Sequence, residues 1–199
     1  MFKKIVAFFN KKEVPKIPKV ISDTLEKSKH INIDLGCGES VREGFIGIDK
    51  RPLPNVQIVH DIEVFPYPVP DGIVNTVVMS HVWEHIKPWL TIDLMNEVWR
   101  ILKVGGKIAL SFPYGVSSGF LQDPTHCNAS NETTWEYFDP NCYMYNIYKP
   151  KPFEIEHRSW QVEGFMEVVL RKISEEEGLE RNKKFVAQLI EQQKGQQNG

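Results

Sequence analysis

Three apolar runs early in the chain, "HINIDL", "GFIGID" and "VQIVHD", each close on an aspartate: Asp34, Asp49 and Asp61. Two more, "NTVVMS" and "KIALSF", follow without acids at their ends. Short Ile/Val-rich runs of this kind, punctuated by Gly, Pro and acids and separated by helical or loop crossovers, predict a mainly parallel sheet covered on its faces. In an open parallel sheet, ligands bind at the carboxyl ends of the strands near the switch in strand order. One strand-end acid is ordinary on a solvated rim, but three in succession mark a site.

The remaining elements fit the same class. The clearest helix is predicted over Ile92 to Lys103, with Leu94, Met95, Val98, Ile101 and Leu102 at helical spacing and a stop at Gly105 and Gly106. An irregular, aromatic-rich stretch runs from "KIALSFP" to about Pro152, with one helical turn expected around Glu132 to Phe138. Connections of that length are usually functional, so it reads as a binding cover. "FEIEHRSWQV" and "FMEVVLRKI" read as an antiparallel hairpin turning at Glu163 and Gly164.

The chain's 199 residues, 41% of them hydrophobic, suffice for one sizeable core. The expected organisation is a basic arm or lid over 1–29, a doubly wound domain over 30–173, and a polar helix with a disordered "QQKGQQNG" tail over 174–199. A formal net charge of −2 argues against nucleic acid as the general partner. Three cysteines without C-x-x-C spacing, no secretory leader and no apolar run of transmembrane length fit a protein of the reducing cytoplasm.

The first strand ends in "DLGCGES", and its glycines have two readings. A dinucleotide pocket requires G-x-G-x-x-G opening a full helix, whose free N–H groups hold the pyrophosphate. Here Val41 stands at the third glycine position, and Glu39 to Gly44 leave room for only about one helical turn before the next strand. Glu39 also places negative charge where phosphates would sit. S-Adenosylmethionine requires less. A bare glycine turn at Gly36, Cys37 and Gly38 approaches its amino-acid end, and Asp34 favours the ammonium. Asp49 accepts hydrogen bonds from the ribose hydroxyls, and Asp61 from the adenine amino group, with Ile62 packed on the ring.

Here the chain resembles a family. "IDLGCGES", "GFIGIDKRP", "VHDIEVFPYPVPDGIVNTVVMSHVWEHI" and "LMNEVWRILKVGGKIALSFP" are similar, in order and spacing, to the successive motifs of class I S-adenosylmethionine-dependent methyltransferases of the type 11-like subgroup. "QDPTHCNASNETTWEYF" is similar to a segment of methyltransferases associated with sugar or cell-surface modification. The resemblance implies a Rossmann-like seven-stranded sheet with its last strand pair antiparallel. It also implies Asp34, Gly36 and Gly38 at the methionine end, Asp49 at the ribose, Asp61 at the adenine, and Ser80 and His81 beside the cofactor. Its implied activity is O- or N-methylation of a small-molecule or sugar-like acceptor; the alternatives are a non-catalytic module binding the cofactor or its demethylated product, and a metal-dependent RNA 2′-O-methyltransferase. Three positions depart from the family pattern: the first crossover is short, Asn75 stands where an acid is common, and Val104 replaces a proline.

A hydroxyl or protonated amine acceptor must lose a proton, and histidine titrates in the right range. His81, His85 and His126 are the candidates. "HVWEHI" also matches the inverted zinc-protease pattern, but that chemistry requires a long helix, and Pro88 follows too closely. His81, Glu84, His85 and His126 could hold a divalent ion, although the bland reading, in which Glu84 and His85 only cap the following segment, is preferred and no metal is assigned. Trp83, Trp89, Trp99 and Phe112 are expected in packing, Tyr114, Trp135, Tyr137 and Tyr143 in an acceptor pocket, and Glu97–Arg100 as a helix-surface pair.

Overall fold

The computed structural model describes residues 16–197. The first fifteen residues of the predicted basic arm lie outside them; the remainder of the arm holds helix α1 (Lys19–Lys27), which buries Ile21 against the first strand.

Seven strands form one sheet: β1 (Ile31–Leu35), β2 (Ile46–Asp49), β3 (Ile58–Val59), β4 (Val74–Ser80), β5 (Leu102–Pro113), β6 (Phe153–Trp160) and β7 (Phe165–Lys172). Their order is β3-β2-β1-β4-β5-β7-β6. β1 to β5 are parallel, and β7 runs antiparallel to both β5 and β6. The predicted mainly parallel sheet with a C-terminal antiparallel hairpin is what the chain forms. The strand order reverses at β1/β4, and the ends of β1, β2 and β4 there converge on one rim.

Helix α2 (Thr91–Ile101) lays fully buried Leu94, Met95, Val98 and Ile101 on the sheet. It stops two residues earlier than its apolar spacing implies, because Leu102 is already extended and pairs with Val74 of β4. Glu97 and Arg100 are not a surface pair. Glu97 is 8% exposed and accepts the Tyr67 N–H, while Arg100 donates to the carbonyls of Tyr67 (3.2 Å) and Val69 (2.8 Å). The Tyr67 hydroxyl in turn donates to the Ile62 carbonyl at 2.8 Å. A chain of buried polar contacts therefore ties α2 to the segment after β3 and fixes Ile62, because buried polar groups must find partners.

Three crossovers carry no helix: residues 36–45 between β1 and β2, 50–57 between β2 and β3, and 60–73 between β3 and β4. Even the one helical turn for which residues 39–44 leave room is not formed. Instead the chain folds back at once, with the Gly36 N–H donating 2.7 Å to the Ile48 carbonyl. The long connection after β5 is built on short helices α3 (Ser118–Leu121) and α4 (Tyr145–Tyr148), with a 3-10 segment at Glu132–Tyr137 where a helical turn was expected. Helix α5 covers Glu175–Gln197 and so continues through the glutamines expected to be disordered.

Candidate functional site

A cavity of about 500 Å3 opens at the carboxyl ends of the parallel strands, within the size range of small-molecule sites. Its lining includes Gly36, Asp49 and Arg51 from the first two strand ends, Asp61, Ile62 and Glu63 after the third, and His81, Val82, His85 and Thr125. Of the residues proposed from sequence, Gly36, Asp49, Asp61, Ile62, His81 and His85 line it together. Asp34, Cys37, Gly38, Ser80 and His126 do not.

Each residue that falls outside has a physical reason. Asp34 is 1% exposed and accepts from the Arg42 backbone N–H (3.1 Å) and guanidinium (2.9 Å). Its carboxylate thus faces Arg42, and it pins the short crossover. Gly38, at φ +59°, turns its N–H onto Asp49 Oδ2 at 2.9 Å. Ser80 is held in the sheet opposite Ser111. Cys37 is half-buried in the turn; burial, then the nearby Asp34 and Asp49 carboxylates, push its thiol up to about 11.

Gly36 has no substitute. At φ +74°, any Cβ would stand 2.6 Å from Val82 Cγ2, so the bare backbone is what admits Val82 and leaves the cavity open. Asp49 is 6% exposed. Burial works to raise its pKa, but donors from the Arg51 backbone (2.9 Å), the Arg51 side chain (3.2 Å) and Gly38 outweigh it and hold the carboxyl below the usual carboxylate range. Oδ1 is filled by its two Arg51 contacts, whereas Oδ2 has taken only the Gly38 N–H and keeps acceptor capacity.

A further part of the lining begins where β4 ends. His81 has φ +54°, a left-handed conformation rare for a non-glycine residue and recurrent at functional sites. Its N–H donates to the Ser111 carbonyl at 2.8 Å, and its ring stands edge-on to Phe165, centroids 5.4 Å apart. Trp83–His85 form one 3-10 turn, so the H-x-x-E-H pattern does not lie on a long helix. The Glu84 carbonyl accepts the Cys127 and Asn128 N–H groups (2.9 and 3.1 Å), which brings His126 alongside from far down the chain. The His85 and His126 ring centroids lie 4.7 Å apart.

The aromatic assignments change. Trp89 is 75% exposed rather than packed, and Trp135, proposed as a pocket wall, is fully buried between Trp83 and Phe112 at ring distances of 4.8 and 5.6 Å. Tyr114 is buried with its hydroxyl on Glu132, and Tyr143 is exposed. Tyr137 joins Trp89, Ile92 and Tyr148 around a separate cavity of about 330 Å3. Sequence reasoning missed Lys50, Arg51, Glu63, Val82, Ile86 and Thr125 in the first cavity; of these, Lys50, Arg51 and Glu63, one or two residues past a strand-end acid, carried a usable signal.

No protein-family model and no curated protein sequence matches the chain. Solved structures do match in fold. A structure described as a SAM-dependent methyltransferase from Archaeoglobus fulgidus is 14% identical, with a TM-score of 0.54 over 78% of this chain and 94% of that one. The 16S rRNA (adenine(1408)-N(1))-methyltransferase of Catenulisporales acidiphilia, as a W203A mutant, is 13% identical, with a TM-score of 0.53 over 79% and 91%. A third, an S-adenosylmethionine-dependent methyltransferase from Mesorhizobium loti, is 13% identical with a TM-score of 0.50 over 71% and 90%. The chain has the Rossmann-like fold of the class I S-adenosylmethionine-dependent methyltransferases.

Proposed function

We propose that the chain is an S-adenosylmethionine-dependent methyltransferase acting on an oxygen or nitrogen of a small-molecule or sugar-like acceptor. The observation that carries this reading is the single cavity where the glycine turn, the strand-end acids Asp49 and Asp61, Ile62 and His81 meet. The residues fit the cofactor: Gly36 keeps the cradle free of side chains, Asp49 Oδ2 retains capacity for a ribose hydroxyl, and Ile62 offers an apolar face beside Asp61 for the adenine. Bound there, S-adenosylmethionine supplies an electrophilic methyl group on a sulfonium.

The chain's own part is alignment and proton removal. His81 borders the acceptor side and takes the acceptor's proton, its ring steadied by Phe165. His85 lines the same cavity. Asp34 acts through Arg42 as a positioning residue for the glycine turn. Although one fold neighbour is named for an rRNA adenine, a net charge of −2 and the acidic Asp61 and Glu63 on the rim favour a small acceptor over RNA. No helix of the described residues is long and apolar enough to cross a membrane.

Calorimetric titration with S-adenosylhomocysteine tests the cofactor assignment. The folded chain is expected to bind it, and Asp49→Ala to weaken binding about tenfold to a hundredfold, the scale of a charged hydrogen bond. Absence of heat with both the methylated and demethylated cofactor overturns the proposal.

A further inference from the structure

Behind the His81 turn lies a buried charge that methyl transfer does not require. Glu84 is 1% exposed, and its Oε2 has no hydrogen-bond partner among the described residues. Its Oε1 is 3.5 Å from His81 Nδ1 and 4.0 Å from His126 Nε2, both longer than a good hydrogen bond. A carboxylate taken out of water this completely calls for a cation or a full set of donors.

The two neighbouring imidazoles are held so that neither supplies a donor through its free nitrogen when neutral. His126 Nδ1 lies 2.9 Å from the Phe120 carbonyl, which can only accept, so Nδ1 bears the proton and Nε2 a lone pair. His85 Nδ1 lies 3.1 Å from the Thr125 hydroxyl, which already donates to Asp123 Oδ1 at 2.7 Å. That hydroxyl therefore accepts from His85, whose lone pair is again on Nε2. A donor bond from the nitrogen that does not ligate is how metalloproteins fix the tautomer and orientation of a histidine ligand. One ligand atom from each of Glu84, His85 and His126 lies within 4.8 Å of the others. Cys127 is not part of the set, since its thiol points to the carbonyls of His85 and Ile86 (3.6 and 3.4 Å).

We propose that Glu84, His85 and His126 bind a divalent transition-metal ion in the wall of the cavity. Two imidazoles and one carboxylate without thiolate suit zinc, manganese, iron(II) or cobalt over copper(I) or calcium. Three protein ligands leave at least one coordination position open, and His85 and Thr125 border the cavity. Resting on the methyltransferase reading, that position takes an acceptor oxygen, which narrows the acceptor to a hydroxyl-bearing compound whose proton the ion makes easier to remove.

Equilibrium dialysis of the full chain against Co2+, read by visible absorption and competed with Zn2+, tests the site. The expected result is one equivalent bound at micromolar affinity or better, with ligand-field bands, and at least a tenfold loss of affinity in His126→Ala and in His85→Gln. His85 is exposed, so its variant keeps the test open if removing the buried His126 ring unfolds the chain. Binding that is millimolar only, or that survives His85→Gln unchanged, overturns the proposal. S-Adenosylhomocysteine titrated into chelator-treated protein separates the two readings: heat without Co2+ binding leaves the cofactor assignment standing alone, and Co2+ binding without heat leaves the metal site standing alone.

Discussion

The two walls of the cavity are built in opposite ways. The wall of Gly36 and Asp49, with Gly38 behind it, is shaped by tight local turns, its parts within fourteen residues of one another (36–49) and its carboxylate held by short contacts from Gly38 and Arg51. The wall of His81 and His85, backed by Glu84 and His126, is side chains brought together across forty-six positions (81–126), and the buried carboxylate behind it lacks close partners. The first wall is a finished cradle, whereas the second is held ready for something to complete it. Binding should therefore fail when the first wall is altered, and chemistry when the second is.

The largest effect is expected at Gly36. Gly36→Val adds side-chain atoms against Val82 at a left-handed position, and S-adenosylhomocysteine binding should become undetectable by calorimetry. Val82→Ala in the same chain should restore part of it; full binding by the single variant would show that the turn is not a cradle. His81→Asn sharpens the contrast from the other side, because asparagine tolerates the left-handed backbone. Turnover on an accepted substrate should fall about a hundredfold or more, while cofactor affinity stays within about threefold, a ratio reflecting less than 1 kcal/mol. Equal losses in both would collapse the division between the walls.

A smaller effect is expected from Ser130→Ala. Ser130 accepts the Trp83 indole N–H at 2.8 Å and so fastens the segment carrying His126 to the turn carrying Glu84. Leaving that buried donor unmet should cost about 1–3 kcal/mol in chemical unfolding, with S-adenosylhomocysteine affinity unchanged. The smallest is a matter of rate. Exposed Cys127 should alkylate first at neutral pH, and Cys37 slowly. Because the Cys37 pKa is raised to about 11, its thiolate fraction, and with it the alkylation rate, should climb about tenfold per pH unit until that value. Mass spectrometry of partially labelled protein distinguishes the two sites.

The contrast between the walls also explains what could be read in advance. Gly36 and Asp49 were legible because a strand end, a glycine turn and an acid are neighbours in the chain, and hydrophobic spacing located the strands that carry them. The antiparallel hairpin was legible for the same reason. Asp34 was identified as a key acid, but its partner was not, since nothing in the spacing shows that Arg42 folds back onto it. Trp135 and Trp89 exchanged roles because an aromatic residue in an irregular segment has no periodicity to reveal whether it faces a core or water. Glu97 seemed a surface acid until the segment after β3 brought the Tyr67 N–H onto it. His126 could be listed as a histidine in a cover, but its approach to Glu84 depends on backbone bonds from Cys127 and Asn128 that no local pattern encodes.

The crossovers at 36–45 and 50–57 contain no helix, and this affects how a reacted ligand leaves. With no helix beginning behind the turns at Gly36 and Asp49, no positive dipole end points into the cavity from that side. Asp49, Asp61 and Glu63 line the cavity together with Lys50 and Arg51, without that added positive field. A sulfonium enters such a site as a cation and becomes a neutral thioether once its methyl group is gone. On the proposed reading, the attraction that favours the methyl donor would weaken with the reaction itself, so the site would discriminate between donor and product by charge.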